Sequence, residues 1–278
     1  MILTRLGWRI HQNFLMRDRI HEYEKLLLAA RAKGYKFITV SDLVAIARGS
    51  VAPPDLAFVL RNDVDTDVST ARLMFQTERE LGITATYYFR LSTIDVDLMR
   101  DMRDHGTEVG YHFEEVATVA KRLGLRNSAE VESELETIRM EFRRNIETYR
   151  SMAGVLPKTV ASHGDFCNRV LNVTNSCIID NCIREEFGIL AEVYDEWLNA
   201  PVTLRLSDKD APDWWSPMPF REALRNSPAC LYVLVHPRQW RANFRENVKA
   251  EAIRLAEGIR FYGARTINGR KSTVQHRL

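Results

Sequence analysis

The stretch LAFVLRNDVD, residues 56–65, decides the fold of this chain. Its first half, Leu56 to Leu60, is an unbroken apolar run, which is typical of a strand buried on both faces of a parallel sheet. Its second half is polar and carries two carboxylates, Asp63 and Asp65. In parallel α/β folds the functional groups collect where strands end and loops begin. The stretch therefore predicts a central parallel strand whose carboxyl end carries the chemistry.

Strands and helices alternate on both sides of this stretch. Further strands are predicted at residues 35–40, 85–89, 107–111, 159–161, 202–206 and 231–235. Helices are predicted at residues 17–33, 42–47, 68–81, 96–103, 127–152 and 243–262. Strands that alternate with helices of this length form βαβ units. The sequence therefore predicts the α/β class, with an irregular (β/α) barrel of six or seven parallel strands.

A single domain over residues 1–278 is expected, because no linker, internal repeat or break in composition divides the chain. Residues 1–54 read as a helical and βα preamble that ends at Pro53-Pro54 and packs on the barrel. Residues 264–278 are basic and polar, and they are expected to form a loose tail.

Composition and charge exclude several classes of protein. The chain has 39 Lys and Arg against 37 Asp and Glu, and a net charge of +2 implies neither nucleic acid nor an anionic membrane as partner. The longest aliphatic run, Leu26 to Ala30, is far shorter than the roughly 20 apolar residues of a spanning helix. Residues 1–14 lack the pattern of a signal peptide. A cytoplasmic protein without a transmembrane segment is therefore expected.

Five of the predicted strands are followed by titratable side chains. These are Asp63, Asp65, Arg90, His112, Glu114, His163 and His236. Taken singly, an aspartate after a strand is often a helix cap, and a lone histidine is more often a hydrogen-bonded core residue than a ligand. Because parallel strands end at one rim, we expect these side chains to converge. Carboxylate oxygen and imidazole nitrogen are usual ligands of Zn²⁺ and other divalent transition ions, so metal-assisted hydrolysis is the predicted reaction class.

Five motifs also occur in a characteristic order. They are NDVD at 62–65, ATYYFR at 85–90, EVGYHFE at 108–114, HG at 163–164 and HPRQW at 236–240. Together they resemble the polysaccharide deacetylases of the NodB-homology type, in particular a divergent branch of that family. The resemblance covers roughly residues 55–245 and implies a NodB-like barrel with hydrolase activity.

The resemblance implies roles for four residues. Asp63 matches the family's general base, Asp65 and His112 match metal ligands, and His236 matches the general acid. The implied reaction is attack of water on an amide carbonyl that a divalent metal ion, most simply zinc, polarises. Asp63 would take the proton of that water, and His236 would protonate the departing nitrogen.

One metal ligand of the family is missing from its usual place. The second metal histidine, four residues after the first, is replaced here by Val116. Glu114, Glu115 or His163 could supply the third ligand. Glu114 is favoured because it lies two residues beyond His112 in an extended segment and so faces the same way. The alternative for Glu114 and Glu115 is a solvated pair that opens the next helix.

Two further departures concern residues near the base. The family's arginine that orients the base is absent around His163, and either Arg61 or Arg90 could replace it. Asn62 stands where the divergent branch has histidine. These departures are the basis of the alternative of a catalytically silent barrel.

Aromatic residues offer a surface for a carbohydrate substrate. Trp214 and Trp215 lie in a proline-rich loop, and Trp240 follows His236. Sugar rings stack on indoles, although packing of the loop on the barrel is an equal alternative. The predicted substrate-binding residues are Arg90, Asp208, Trp215 and Trp240.

Three functions are compatible with these residues. The first is a metal-dependent de-N-acylase acting on an N-acylated sugar, nucleotide-linked or lipid-linked, in surface polysaccharide or lipopolysaccharide O-antigen synthesis. The second is a catalytically silent barrel that binds sugar or regulates, and the third is an allantoinase-like hydrolase of another C–N bond. Retention of Asp63 and His236 favours an enzyme, because a silent barrel would be free to lose both.

Overall fold

The strand predicted from residues 56–60 is the centre of a curled sheet. The computed structural model describes residues 7–8, 10–209 and 214–275, with side chains as far as Arg265. Its strands are β1 Lys36–Ile38, β2 Ala57–Val64, β3 Thr86–Phe89, β4 Glu108–Phe113, β5 Thr159–Ser162, β6 Ala191–Glu192, β7 Leu204–Asp208, β8 Trp215–Ser216 and β9 Cys230–Val235. Every residue of β2 is buried.

The sheet has the order β6-β5-β4-β3-β2-β9-β7-β8, with β1 beside the first half of β2. All strand pairs are parallel except β7 with β8. The chain is thus an α/β protein whose mostly parallel sheet curls into a half-barrel. Within the described residues there are nine strands and not the six or seven expected. The two unforeseen strands, β6 and β8, are two residues long, too short for a periodic pattern.

Helices connect the strands and cover the sheet. They are α1 Ile20–Ala32, α2 Val40–Ala47, α3 Val68–Glu80, α4 Val96–Asp104, α5 Glu115–Leu123, α6 Ser128–Ser133, α7 Leu135–Ala153, α8 Phe166–Leu171, α9 Asn181–Phe187, α10 Glu196–Asn199, α11 Phe220–Asn226 and α12 Phe244–Gln275. No helix in the described part of the chain is long and apolar enough to cross a membrane.

Three predicted helix boundaries were wrong. The cap of α2 is Thr39 and not Ser41, and Thr39 forms a reciprocal capping box with Asp42. The predicted helix over 127–152 is divided at Glu134 into α6 and α7. The last helix continues through Gly263 to Gln275, so residues 264–275 are helical and not loose. Buried Phe261 anchors α12 beside Phe166, which offsets the weak helix propensity of the neighbouring Gly258 and Gly263.

Alternate residues of β2 face opposite sides of the sheet. Phe58, Leu60 and Val64 belong to the large core between the sheet and its helices, here called the helix side. Ala57 and Val59 belong to a smaller core with Tyr88 and Tyr232 on the opposite surface, here called the inner face. The alternation carries Arg61 and Asp63 to the inner face, at the carboxyl end of the strand.

Candidate metal centre

Strand register brings the predicted residues to one end of the sheet. Asn62 of β2 pairs with Val235 of β9, so Asp63 lies beside the chain that leads into His236. His112 of β4 pairs with Ala161 of β5, two residues before His163. The expected convergence at the carboxyl ends of the strands therefore occurs for residues from β2, β4, β5 and β9.

Three potential ligand atoms form a small triangle at this end. Asp65 Oδ1 lies 3.1 Å from His163 Nδ1 and 3.3 Å from His112 Nε2. The two nitrogens are 3.2 Å apart. Ligands at the 2.0–2.1 Å bond lengths of a tetrahedral zinc ion are separated by about 3.3 Å, so the triangle has the size of one face of such a site.

The protonation states of these residues are those that binding of a cation requires. His112 Nδ1 donates to the carbonyl of Ala161 at 2.9 Å, because a carbonyl only accepts, and this leaves Nε2 with its lone pair when the ring is neutral. Asp65 Oδ1 is buried and has no well-directed hydrogen bond within the described residues. Burial would raise the pKa of Asp65, but His163 and His112 lower it well below the ordinary range. An ionised oxygen and an imidazole lone pair thus meet here, and the residues present suit a divalent metal ion.

Asp63 is held beside the triangle by an arginine. Arg61, fully buried, donates to both carboxylate oxygens of Asp63, at 2.7 and 2.6 Å. Asp63 Oδ2 is 3.5 Å from His112 Nε2. Burial alone would raise the pKa of Asp63, but Arg61 and His112 outweigh it and lower the pKa. Of the two arginines considered from the sequence, Arg61 therefore orients this carboxylate.

The imidazole of His236 is paired with a buried carboxylate, that of Asp208. Asp208 accepts from His236 Nδ1 and from its backbone N–H, both at 2.7 Å. Burial would lower the pKa of His236, but Asp208 outweighs it, and the pKa rises to about 9. The imidazole is therefore protonated at neutral pH. Asp208 is mostly buried and positions His236, so its expected role in contacting substrate is not supported.

Glu114 does not join the triangle, contrary to the expectation that it is a ligand. Its two oxygens accept from Arg90 Nη2 at 2.6 and 2.7 Å, and Arg90 Nη1 also donates to the carbonyl of Asp65 at 3.1 Å. β4 ends at Phe113, so the extended geometry that would have aligned Glu114 with His112 is already lost. His163 takes the third position instead. Glu115 is buried on the helix side, where it accepts from Tyr111 and Asn145.

Of the two tryptophans expected to bind sugar, Trp240 is buried and Trp215 is partly exposed. Trp240 is 1% exposed and contacts the rings of Tyr23 and Trp215. Trp215 packs on Phe220 as well and is only partly exposed. The packing alternative thus holds for Trp240, because the loop after β9 folds back beneath α1. Arg90 does line the cleft described next, although its guanidinium is already paired with Glu114.

A cleft opens from the triangle towards α12. Its volume is about 460 Å³, within the usual range for small-molecule sites. Asp65 and His163 line it together with Lys249 and Arg254 of α12. Arg169 and Arg238 add further positive charge. Two of the three triangle residues therefore line a polar cleft, and the last helix supplies part of its wall.

Comparison with known proteins gives only distant structural likenesses. No protein-family profile and no curated protein matches the chain. IcaB from Ammonifex degensii is 16% identical over 54% of this chain and 70% of its own, with a TM-score of 0.41. The deacetylase PplD from Streptococcus pyogenes, in complex with acetate, is 10% identical over 53% and 66%, with a TM-score of 0.38. The BpsB deacetylase domain from Bordetella bronchiseptica is 12% identical over 80% and 86%, with a TM-score of 0.42.

TM-scores below 0.5 support no inference about function.

Proposed function

We propose that this protein is a metal-dependent amide hydrolase that removes the acyl group from the nitrogen of an N-acylated sugar. The proposal is carried by the triangle of Asp65, His112 and His163, whose ligand atoms lie 3.1 to 3.3 Å apart beside the carboxylate of Asp63. A divalent ion bound there, which we expect to be zinc, polarises a carbonyl and lowers the pKa of water.

Asp63 acts as the general base in this proposal. Its lowered pKa keeps it ionised at neutral pH, and its 3.5 Å approach to His112 places it next to the triangle. Arg61 occupies one lone pair on each oxygen and fixes the plane of the carboxylate. The remaining lone pairs can accept a proton from a water molecule that attacks the amide carbon.

His236 acts as the general acid. An amine is too basic to leave as an anion, so the nitrogen must receive a proton as the C–N bond breaks. Asp208 keeps His236 protonated and sets the direction of its ring, with Nε2 remaining to donate. The products are a short carboxylic acid and a free amine. The base and the acid thus come from β2 and β9, which are neighbours in the sheet.

The substrate class follows from the cleft and from the motif resemblance. A cleft of about 460 Å³ lined by polar side chains and by charged groups of both signs suits a hydroxyl-rich ligand, and its arginines can pair with an anionic group attached to that ligand. A nucleotide-linked or lipid-linked sugar has this chemistry. We place the reaction in the cytoplasm, in assembly of a surface polysaccharide such as lipopolysaccharide O-antigen.

The test combines metal analysis with product release. Protein purified without chelators is expected to hold close to one divalent ion per chain and to release acetate from N-acetylglucosamine oligomers or a nucleotide-linked N-acetyl sugar. Asp63→Asn is expected to keep the metal and lose acetate release, while Asp55→Asn, an exposed aspartate at the opposite end of β2, keeps both.

Other outcomes would assign the chain elsewhere. Sugar binding without turnover by the unmutated, metal-loaded protein would favour the silent barrel. Hydrolysis of a cyclic ureide in place of the sugar amide would favour the allantoinase-like activity.

A further inference from the structure

The last helix presents an apolar stripe to solvent. Val248, Leu255, Ile259 and Tyr262 follow one another at spacings of seven, four and three residues, which places them on one side of α12. All four are exposed, and Leu255 and Ile259 are each 67% exposed. Ala252 lies within the same stripe and is exposed too. Asn247 and Phe261 lie outside the stripe and are buried.

The stripe continues onto the N-terminal part of the chain. The π-helical turn His11–Leu15 packs on the start of α12, where Phe14 contacts Phe244 and Asn247 donates to the carbonyl of Asn13. Leu15 and Phe244 are exposed beside this junction. Two distant parts of the sequence thus contribute to one apolar surface, larger than the single exposed apolar residues that are ordinary in proteins.

The exposed charges of the described part of α12 are all positive. Arg245, Lys249 and Arg260 are exposed and follow one flank of the stripe, since residues four and eleven positions apart lie near one line on a helix. The three glutamates, Glu246, Glu251 and Glu257, are only partly exposed and line the cleft, as Lys249 and Arg254 do. The outward surface is therefore apolar in the middle and cationic at its margin, although the whole chain has a net charge of only +2.

We propose that this surface, comprising Leu15, Phe244, Val248, Leu255, Ile259 and Tyr262 with the adjacent cations, docks on an anionic lipid bilayer. An apolar stripe with Lys and Arg along its edge is the pattern of a helix that lies in a membrane interface. An antiparallel pair with a second copy of the chain is disfavoured, because a two-fold axis across α12 would bring the same cationic flanks together. Docking would hold the cleft, which α12 lines from its other side, next to the bilayer.

The experiment measures partition of the full chain onto lipid vesicles. Unmutated protein is expected to sediment with vesicles of phosphatidylcholine and phosphatidylglycerol, and less with phosphatidylcholine alone. The double variant Leu255→Ser/Ile259→Ser is expected to bind at least about tenfold more weakly, since two exposed aliphatic side chains can no longer enter the interface. Met140→Ser, which removes an equally exposed apolar residue of α7, is the matched control and is expected to bind as the unmutated protein does.

The cationic flank has its own variant, Arg245→Gln/Arg260→Gln. It is expected to lose the preference for anionic vesicles, and added salt is expected to weaken the unmutated protein in the same way. Three results would overturn the proposal. They are no binding by the unmutated protein, full binding by the Leu255/Ile259 variant, and a dimer in light scattering that this variant abolishes. Since no substrate is involved, the outcome is independent of the proposed hydrolase activity.

Discussion

Two buried carboxyl groups, one on each side of β2, differ in their protonation state at neutral pH. On the inner face, Asp63 contacts Arg61 and His112, and its pKa is lowered. On the helix side, Glu78 accepts hydrogen bonds through one oxygen from Tyr23, Tyr87 and Asn62. All of these donors are neutral, and burial raises the pKa of Glu78 to about 8.

The difference shows that burial alone does not decide the charge of a carboxyl group. Both groups are almost completely removed from solvent. A guanidinium in contact offsets the cost of desolvating a carboxylate, whereas hydroxyl and amide donors offset only part of it. The inner face thus stabilises an ionised carboxylate, Asp63, beside a guanidinium. The helix side holds a neutral acid, Glu78, in a structural hydrogen-bond cluster.

The largest expected effect is on the inner face, at the proton donor. His236→Ala is expected to lower turnover of an amide roughly 10²–10⁴-fold, because the amine leaving group requires a proton. An activated ester with the same acyl group should lose far less. The two kcat values are compared with those of His21→Ala, which removes an exposed histidine of α1. Equal losses on both substrates, with a lower melting temperature, would mean that His236 only braces its turn.

The helix side is tested through stability. Glu78 keeps its proton in the folded state up to about pH 8, whereas an unfolded glutamate ionises near its ordinary pKa of 4.5. The folded state therefore binds more protons between these values, and the free energy of unfolding falls as pH rises, by on the order of 4–5 kcal/mol. Glu78→Gln is expected to remove that slope.

The measurement is urea unfolding at intervals from pH 4.5 to 8. Glu80→Gln, an exposed glutamate on the same helix, is expected to follow the unmutated protein. If Glu78→Gln kept the full pH slope, Glu78 would be ionised in the folded state and the contrast between the two sides of β2 would fail.

The triangle is tested by metal affinity. Replacing Asp65, His112 or His163 by Ala is expected to weaken binding of zinc by at least about 10–100-fold, since each variant removes one donor atom. Asp63→Ala and Glu114→Gln are expected to keep the metal, because Asp63 serves as a base and Glu114 pairs with Arg90. Competition with a chromogenic chelator gives the dissociation constants. Loss of zinc in Glu114→Gln as large as in His163→Ala would reverse the assignment of the third ligand.

The smallest expected effect concerns the partner of the acid. Asp208 stabilises the imidazolium of His236, whose pKa is about 9, so His236 is protonated below that pH and loses its proton above it. Asp208→Asn is expected to move the alkaline limb of the rate profile to lower pH by up to about two units. The rate near pH 6 should change little. An alkaline limb that stays in place would assign it to a group other than His236.

Much of the fold could be predicted from periodicity. All seven strands expected from the sequence are present, because apolar runs such as Leu56 to Leu60 report burial directly. The grouping of polar side chains at the carboxyl end of the sheet was also predictable, since parallel strands end at the same edge. The choice of the third ligand could not be predicted. His163 and Glu114 both follow strands, and only the early end of β4 at Phe113 separates them.

The sequence by itself determined the α/β class, the order of strands and helices, and the acidic and histidine side chains at the strand ends. Each of these depends on residues close together in the chain. Only the tertiary structure showed that Arg61 is the arginine that pairs with Asp63, that Asp208 positions His236 and that Trp240 is buried. The contact of Asp208 with His236 and the burial of Trp240 depend on strand register and on packing between segments far apart in the chain, and local patterns contain no information about either. Arg61 and Asp63 lie two residues apart on one face of β2, and the structure excluded the other candidate by pairing Arg90 with Glu114.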